Sequence, residues 1–377
     1  MKKLTVIAAG LGWSTLEKAH LTKMCGLTFS PRPSVFPAVT CVAQASLRTG
    51  LTPAEHGLIA NGTWFPTLRK PLFWEQSARL IQGPRIWEKS AAPTSTGLYF
   101  FQQSLGENVA SILSPAPIHK HGGGMMMACY TKPTSLTSAL RKSCGAFPLW
   151  RYWGPLASPK VGRACLDYFE ALSRLAPVDN AYLYLPTLDY YAQKYGPSSP
   201  KSAAALTEFS HQLSRLTQFA ARQSCSLEII GDYEIHDVTL PPVRPNVILR
   251  QAGLFQTRTV GGLSYPDFYQ STAFALCDHE LCALYGENAT QARDLLLATG
   301  DYILPDTPIP GHEILLSKLG SWCEYKWWTN DKEAPDFATH VDIHNKPGFD
   351  PTELFFFGRG TIRGTHGRPC LIAHAQT

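Results

Sequence analysis

The chain has 377 residues, of which 44% are hydrophobic and 17% are charged, so it has enough apolar material for a large core. Its formal net charge is +5, and no basic cluster is longer than a pair of residues, which argues against nucleic-acid binding. No apolar run reaches the roughly 20 residues that a membrane-spanning helix needs, so the composition also argues against a membrane protein.

The first residues, MKKLTVIAAGLGW, are compatible with a signal peptide or with a first buried strand that enters a glycine loop. We favour the strand, because the apolar run is only about ten residues long. Ten cysteines occur at irregular spacings without a Cys-x-x-Cys pair, which indicates free thiols in a reducing compartment. Both observations predict a cytoplasmic protein.

The segment from Phe36 to Gly62, FPAVTCVAQASLRTGLTPAEHGLIANG, is the most informative part of the chain. An apolar run ends at Thr40, a helix of small residues follows, and Thr49 and Gly50 end that helix. A hydroxyl at a helix N-terminus lies near the partial positive charge of free N–H groups, which suits a nucleophile that attacks an anionic phosphorus. Thr40 is therefore a candidate nucleophile.

Beyond this segment, short apolar runs alternate with helical stretches, as a parallel α/β architecture requires. Helices are predicted near 161–175 and 202–223, and strands are predicted at AYLYLPTLD and LEIIGD. Residues 64–160 are rich in Pro, Gly and Trp, interrupt the alternation, and are predicted to form an inserted cap. Residues 241–345 are predicted to be a second, irregular insertion in a chain with a single domain.

Two carboxylates follow the predicted buried strands. Asp189 ends AYLYLPTLD, and Asp232 ends LEIIGD. The carboxyl ends of parallel strands are where α/β proteins bind ligands, so both side chains are candidate site residues.

The segment around Thr40 resembles the nucleophile motif of the type I phosphodiesterase/nucleotide pyrophosphatase family, within the alkaline phosphatase superfamily. That motif reads Pro-Thr-x-Thr, then Ser-x-x-Thr-Gly-x-x-Pro-x-x-His-Gly-Ile-x-x-Asn. The residues in register are Pro37, Thr40, Ser46, Thr49, Gly50, Pro53, His56, Gly57 and Asn61. The resemblance implies an alkaline-phosphatase-like α/β fold with a mostly parallel sheet between helices. It also implies that Thr40 is the nucleophile and that Asn61 donates a hydrogen bond to the phosphoryl oxygen.

The family holds two zinc ions, and only part of its ligand set is present here. The matching ligands are Asp189, Asp232 and His366. Ala9, Gln193 and Tyr233 stand where the family has Asp, His and His. Ala offers no ligand atom, Gln is a weak ligand, and Tyr seldom replaces imidazole at zinc. We therefore expect a divalent metal, zinc by resemblance, at fewer than two ions per chain.

Replacement ligands are predicted in the segment ATHVDIHNKPGFDP. His340, Asp342 and His344 alternate, so in a strand they would share one face, where Asp342 and His344 could bind a metal. Lys346 could then contact phosphate. A polar strand face in solvent explains the alternation equally well. The phrases LPTLDYYAQKYGP and VDIHNKPGFDP also resemble a bacterial nucleotide pyrophosphatase-like branch in which Gln and Tyr replace the two histidines.

Four further residues are predicted to bind substrate. His119 and His121 precede three glycines and could form a lid over the site, or a surface loop. Gln193 and Tyr233 stand at former ligand positions and could contact the substrate there.

Two main functions remain open on the sequence. The first is hydrolysis of a phosphodiester or phosphomonoester of a small metabolite or nucleotide, favoured by the retention of Thr40 and Asn61. The second is an inactive or repurposed member that binds a phosphorylated metabolite or acts as a partner subunit, favoured by the missing ligands. A metal-independent transferase is a third class. The sequence does not define the oligomeric state.

Overall fold

The computed structural model describes residues 1–89, 95–122, 124–339 and 361–377. In chain order, the strands are β1 (Lys3–Ala8), β2 (Lys23–Met24), β3 (Leu27–Thr28), β4 (Ser30–Pro33), β5 (Gly62–Phe65), β6 (Lys70–Phe73), β7 (Thr96–Tyr99), β8 (Ser111–Pro115), β9 (Ile118–His119), β10 (Met125–Met126), β11 (Cys129–Lys132), β12 (Asn180–Leu185), β13 (Ser226–Gly231), β14 (His236–Asp237), β15 (Thr257–Val260), β16 (Leu263–Pro266), β17 (Phe274–Asp278), β18 (Leu281–Tyr285), β19 (Tyr302–Ile303), β20 (Glu313–Ser317), β21 (Gly364–Thr365) and β22 (Leu371–Gln376). The helices are α1 (Trp13–Lys18), α2 (Thr40–Thr49), α3 (Pro53–His56), α4 (Ser135–Cys144), α5 (Val161–Leu175), α6 (Asp189–Tyr195), α7 (Pro200–Gln223), α8 (Pro245–Gln251) and α9 (Ala289–Ala298).

The fold is built around a central eight-stranded sheet. Its strand order is β11-β8-β7-β12-β1-β13-β22-β4, and the pairs from β8 through β7, β12 and β1 to β13 are parallel. The apolar sequences of β1 and β12 fit their central positions, since strands covered on both faces are almost wholly apolar. α5 packs against β12, and α7 packs against β13. The predicted α/β fold with a mostly parallel sheet is therefore confirmed.

The predicted helices and strands of the middle region agree with the structure. α5 covers 161–175, and α7 extends the helix predicted over 202–223 by two residues at its N-terminus. Ser199 caps α7 by accepting a hydrogen bond from the N–H of Ser202, and Pro200 occupies the first turn, where a missing N–H costs nothing.

The two predicted insertions need correction. Residues 64–160 do not lie outside the sheet, because they contain β7, β8 and β11, three of its eight strands. These strands have only four or five residues each, so the Pro- and Gly-rich connections hide the alternation in the sequence. Residues 241–345 are not irregular throughout: they include a four-stranded antiparallel sheet, β17-β18-β20-β19, with its own apolar core.

All ten cysteines are free thiols in the structure. Among the described residues, no helix has both the length and the apolar character that crossing a membrane would require.

Candidate active site

Thr40 is the first residue of α2 and is buried. The residue before it, Val39, has an extended backbone (φ −134°, ψ 158°) and no side-chain oxygen with which to cap the helix. An apolar residue at this position costs about 1 kcal/mol relative to Ser, Thr, Asp or Asn. The N–H of Cys41 donates instead to the Oδ1 atom of Asn61, at 3.0 Å. The N-terminus of α2 is thus built from the two residues that the sequence predicts to be catalytic and their neighbours.

The carboxyl ends of β12, β1 and β13 bring the predicted carboxylates to the same edge of the sheet. Ala8 pairs with Leu185 on one side and with Gly231 on the other, so the residues that follow all three strands lie next to one another. Asp232 accepts hydrogen bonds at Oδ1 from the N–H groups of Gly10 and Tyr233, both at 2.9 Å. Burial raises the pKa of Asp232 well above its ordinary value.

Asp189 accepts hydrogen bonds from Gln193 and Tyr233, the two residues expected from the resemblance to stand at histidine positions. Gln193 lies one turn further along α6 and donates from Nε2 to Asp189 Oδ1 at 2.6 Å. The hydroxyl of Tyr233 donates to the same oxygen at 2.8 Å. Burial raises the pKa of Asp189 to about 6, although these two hydrogen bonds act in the opposite direction.

Tyr233 also packs against His366. Burial raises the pKa of the Tyr233 hydroxyl well above its ordinary value, and burial has the same effect on the pKa of the Tyr184 hydroxyl. The Tyr233 ring stacks flat on His366, with ring centroids 3.7 Å apart and an interplanar angle of 5°. His366 Nδ1 lies 3.0 Å from the carbonyl oxygen of Ala38, and burial lowers the pKa of His366 to about 3.

The structure thus brings most of the predicted site residues into one buried cluster. These residues are Thr40, Asn61, Asp189, Gln193, Asp232, Tyr233 and His366. Of the remaining predictions, Asp342, His344 and Lys346 lie outside the described residues. His119 lies on β9, opposite Met125 on β10, and His121 is exposed just after β9. Contact of these two histidines with substrate stays a prediction.

The tip of the β17–β18 hairpin, Asp278-His279-Glu280, was not predicted from the sequence. All three residues are buried, although a polar hairpin tip normally lies in solvent. Asp278 accepts two hydrogen bonds from Asn61, and the ring centroid of His279 lies 3.8 Å from that of His366. A run of three titratable residues between the apolar sequences FALC and LCALY was the available signal.

Comparisons with known proteins identify the family of the chain. Residues 4–350 match the family described as type I phosphodiesterase / nucleotide pyrophosphatase. The chain belongs to this family. Its members are hydrolases, which confirms the prediction of an enzyme at the level of the family. Among curated protein sequences, none matches the chain.

Solved structures show the same alkaline-phosphatase-like fold. Murine ectonucleotide pyrophosphatase/phosphodiesterase 5 is 14% identical, with a TM-score of 0.59 over 100% of this chain and 87% of that chain. Phosphonoacetate hydrolase from Sinorhizobium meliloti 1021, in complex with phosphonoformate, gives the same identity of 14% and TM-score of 0.59, over 100% of this chain and 89% of that chain. An inactive variant of the murine protein in complex with AMP gives a TM-score of 0.58 at 14% identity, over 100% and 87% of the two chains.

The residues of this site do not fit the two-zinc arrangement of the family. Gln193 and Tyr233 direct hydrogen-bond donors at Asp189, where the family directs metal ions. In the described ranges, no group of three or more His, Cys, Asp or Glu side chains could hold a metal ion. One atom does fit a single cation, because Asp232 Oδ2 is buried without a hydrogen-bond partner among the described residues.

Proposed function

We propose that this protein hydrolyses a phosphoester of a small metabolite or nucleotide, with Thr40 as the nucleophile. The observation that carries the proposal is the position of Thr40 at the N-terminus of α2, joined through the N–H of Cys41 to Asn61. Free N–H groups at a helix N-terminus favour a phosphoryl group there.

Attack of Thr40 Oγ on phosphorus would form a phosphothreonine and break the bond to the leaving group, whose oxygen would take the proton of the Thr40 hydroxyl. Water would then hydrolyse the phosphothreonine, which releases the phosphoryl group and restores the hydroxyl. Asn61 Nδ2 carries two hydrogens, of which one is donated to Asp278. The second is available to a phosphoryl oxygen on which negative charge develops. Removing one such donor costs about 100- to 1000-fold in turnover in other enzymes.

We propose that at most one divalent cation, zinc by family resemblance, binds at this site. The free oxygen of Asp232 supports it, since a buried carboxylate oxygen without a donor is stabilised by a cation. Asp342 and His344 are proposed as further ligands, together with Asp189 and His366. When bound, such a cation would stabilise negative charge on the phosphoryl group.

The proposed substrate is a small phosphorylated molecule. Structural neighbours are complexes with AMP and with phosphonoformate, which supports a ligand of this class. Lys346, His119 and His121 are proposed to contact it. Because Gln193 and Tyr233 donate to Asp189, we propose that they shape the phosphate pocket through that carboxylate.

The second candidate function is binding of a phosphorylated metabolite without hydrolysis. It is favoured by the hydrogen bonds of Gln193 and Tyr233 to Asp189, since these donors satisfy a carboxylate that the family uses for metal.

Replacement of Thr40 by Val separates the two functions. Val is nearly isosteric but lacks the hydroxyl, so Thr40→Val should abolish turnover of bis(4-nitrophenyl) phosphate and change the melting temperature little. Thr49→Val is the matched control, because Thr49 lies at the other end of α2, where its hydroxyl donates to Ala45 O at 2.8 Å. That control should lower stability by about 1 kcal/mol and retain turnover. Turnover that persists in Thr40→Val would remove Thr40 from the reaction.

A further inference from the structure

The β17–β18 hairpin reaches the Thr40 site from the second sheet through Asp278. Oδ2 of Asp278 accepts a hydrogen bond from the backbone N–H of Asn61 at 2.7 Å, and Oδ1 accepts one from Asn61 Nδ2 at 3.1 Å. The other end of the same amide, Asn61 Oδ1, accepts from the N–H of Cys41 at 3.0 Å. The backbone N–H, Nδ2 and Oδ1 of Asn61 therefore each have a fixed partner on α2 or on the hairpin.

These partners allow only one orientation of the Asn61 amide. If the amide turned over, its oxygen would face the Asp278 carboxylate and its NH₂ group would face the N–H of Cys41. Both contacts would be repulsive, because an ionised carboxylate only accepts hydrogen bonds and a backbone N–H only donates them. The observed orientation keeps one hydrogen of Nδ2 available. A phosphoryl oxygen needs such a donor and would be repelled by Oδ1.

A neutral hydrogen-bond acceptor could hold the segment that contains Asn61 at a lower free-energy cost than a buried carboxylate does. Asp278 is 1% exposed, and among the described residues no Lys or Arg forms an ion pair with it. His279 Nε2 lies 3.9 Å from Oδ1, which is beyond hydrogen-bond distance. Burying a carboxylate costs several kcal/mol, so a residue needed only for packing would not carry this charge. Selecting the donor end of Asn61 does require an acceptor that cannot also donate.

We propose that Asp278 is a positioning residue that holds Asn61 with its NH₂ group directed at the phosphoryl group. This inference rests on the proposed function. Asp278 belongs to the four-stranded sheet β17-β18-β20-β19, which would thus take part in a reaction at the edge of the central sheet.

A double-mutant cycle of Asn61 and Asp278 tests the positioning role of Asp278, with kcat and KM measured on bis(4-nitrophenyl) phosphate. Asn61→Ala should lower kcat about 100- to 1000-fold. Asp278→Asn, which can present either an oxygen or an NH₂ group, should lower kcat about 10- to 100-fold with KM changed less than about threefold. In the Asn61→Ala background, Asp278→Asn should cause no further loss of kcat. Asp278→Ser repeats the cycle with a smaller side chain if Asp278→Asn does not fold.

Glu280→Gln is the control from the same hairpin tip. Glu280 accepts a hydrogen bond at Oε1 from Arg368 Nε at 2.8 Å, so its side chain is held by Arg368 and not by Asn61. Its effect on kcat, whatever its size, should be the same fold-change in the wild-type and Asn61→Ala backgrounds. Unchanged kcat in both Asp278 variants, or equal losses with and without Asn61, would overturn the proposal.

If the wild-type protein hydrolyses no phosphoester, the proposed function fails and the same cycle is read from the melting temperature. A loss in Asp278→Asn that is smaller in the Asn61→Ala background, where only the bond from the backbone N–H of residue 61 remains, supports the positioning contact. Equal losses in both backgrounds overturn it, independently of turnover.

Discussion

At the scale of single residues, Gln193 and Tyr233 decide how this site differs from that of its family. By resemblance, each stands where the family has a metal-binding imidazole, and both donate a hydrogen bond to the same oxygen of Asp189. The substitutions are therefore matched to each other and to the carboxylate. The Tyr233 ring also covers one face of His366, which the family uses as a ligand.

Metal content follows from these residues. The wild-type protein should retain fewer than two equivalents of zinc per chain after gel filtration. The triple variant Ala9→Asp, Gln193→His and Tyr233→His restores the family ligands and should retain more zinc than the wild type, because carboxylate and imidazole are better zinc ligands. Elemental analysis checks both values. Two tightly held zinc ions in the wild type would show that Gln193 and Tyr233 do not prevent a two-metal centre.

The site residues differ in how well the sequence reveals them. Thr40 and Asn61 belong to one local segment, and Asp189 and Asp232 each follow a recognisable strand. Asp278 was missed because 217 positions separate it from Asn61, and no local pattern predicts which loop a buried hairpin tip will meet. The roles of Gln193 and Tyr233 as donors to Asp189 also needed coordinates, because only their spacing from lost ligands is visible in the sequence.

At the scale of elements, His56 joins α3 to α2. Its Nε2 atom lies 2.9 Å from Ser46 Oγ, and its Nδ1 atom accepts a hydrogen bond from the N–H of Leu58 at 3.2 Å. Because Nδ1 is an acceptor, the ring must be neutral. Burial lowers the pKa of His56 from 6.5 to about 4.

This contact predicts a pH dependence of stability. Between pH 6.5 and 4, the unfolded chain binds a proton at His56 that the folded chain does not bind, so the free energy of unfolding falls as the pH falls. The loss from this residue should reach about 2 kcal/mol at pH 5. Urea unfolding at pH 7 and pH 5 measures this loss. Between these pH values, the free energy of unfolding of His56→Gln should fall by about 2 kcal/mol less than that of the wild type. The exposed control His211→Gln should keep the wild-type pH dependence, and the same dependence in His56→Gln would contradict the prediction.

At the scale of the whole molecule, the site is assembled from distant parts of the chain. The parallel strands of the central sheet place Asp189 and Asp232, α2 places Thr40, and the second sheet contributes Asp278. The α/β fold was predictable because β1, β12 and β13 are short, mainly apolar runs that alternate with helices. The extent of the sheet was not, because β7, β8 and β11 are short and lie within a Pro- and Gly-rich region whose composition resembles that of a loop.

The chain also returns to the site after residues 340–360, which lie outside the described ranges. The N–H of Arg363 donates to the carbonyl oxygen of Gln193 at 2.8 Å, and His366 follows three residues later. This return, together with the alternation of His340, Asp342 and His344 in the sequence, supports the proposal that the segment contributes ligands.

Replacing His344 tests that proposal. If His344 binds the same cation as Asp232, His344→Ala removes one of its few ligands and should lower the bound zinc and the turnover of bis(4-nitrophenyl) phosphate by similar factors, because both depend on the same site. His211→Ala, which removes an exposed imidazole from α7, should leave both quantities unchanged. Elemental analysis and kinetics on the same preparations make the comparison direct. Unchanged zinc content in His344→Ala would exclude this residue as a ligand. Any cation would then have to bind to the described residues alone, among which no group of three or more His, Cys, Asp or Glu side chains could hold a metal ion.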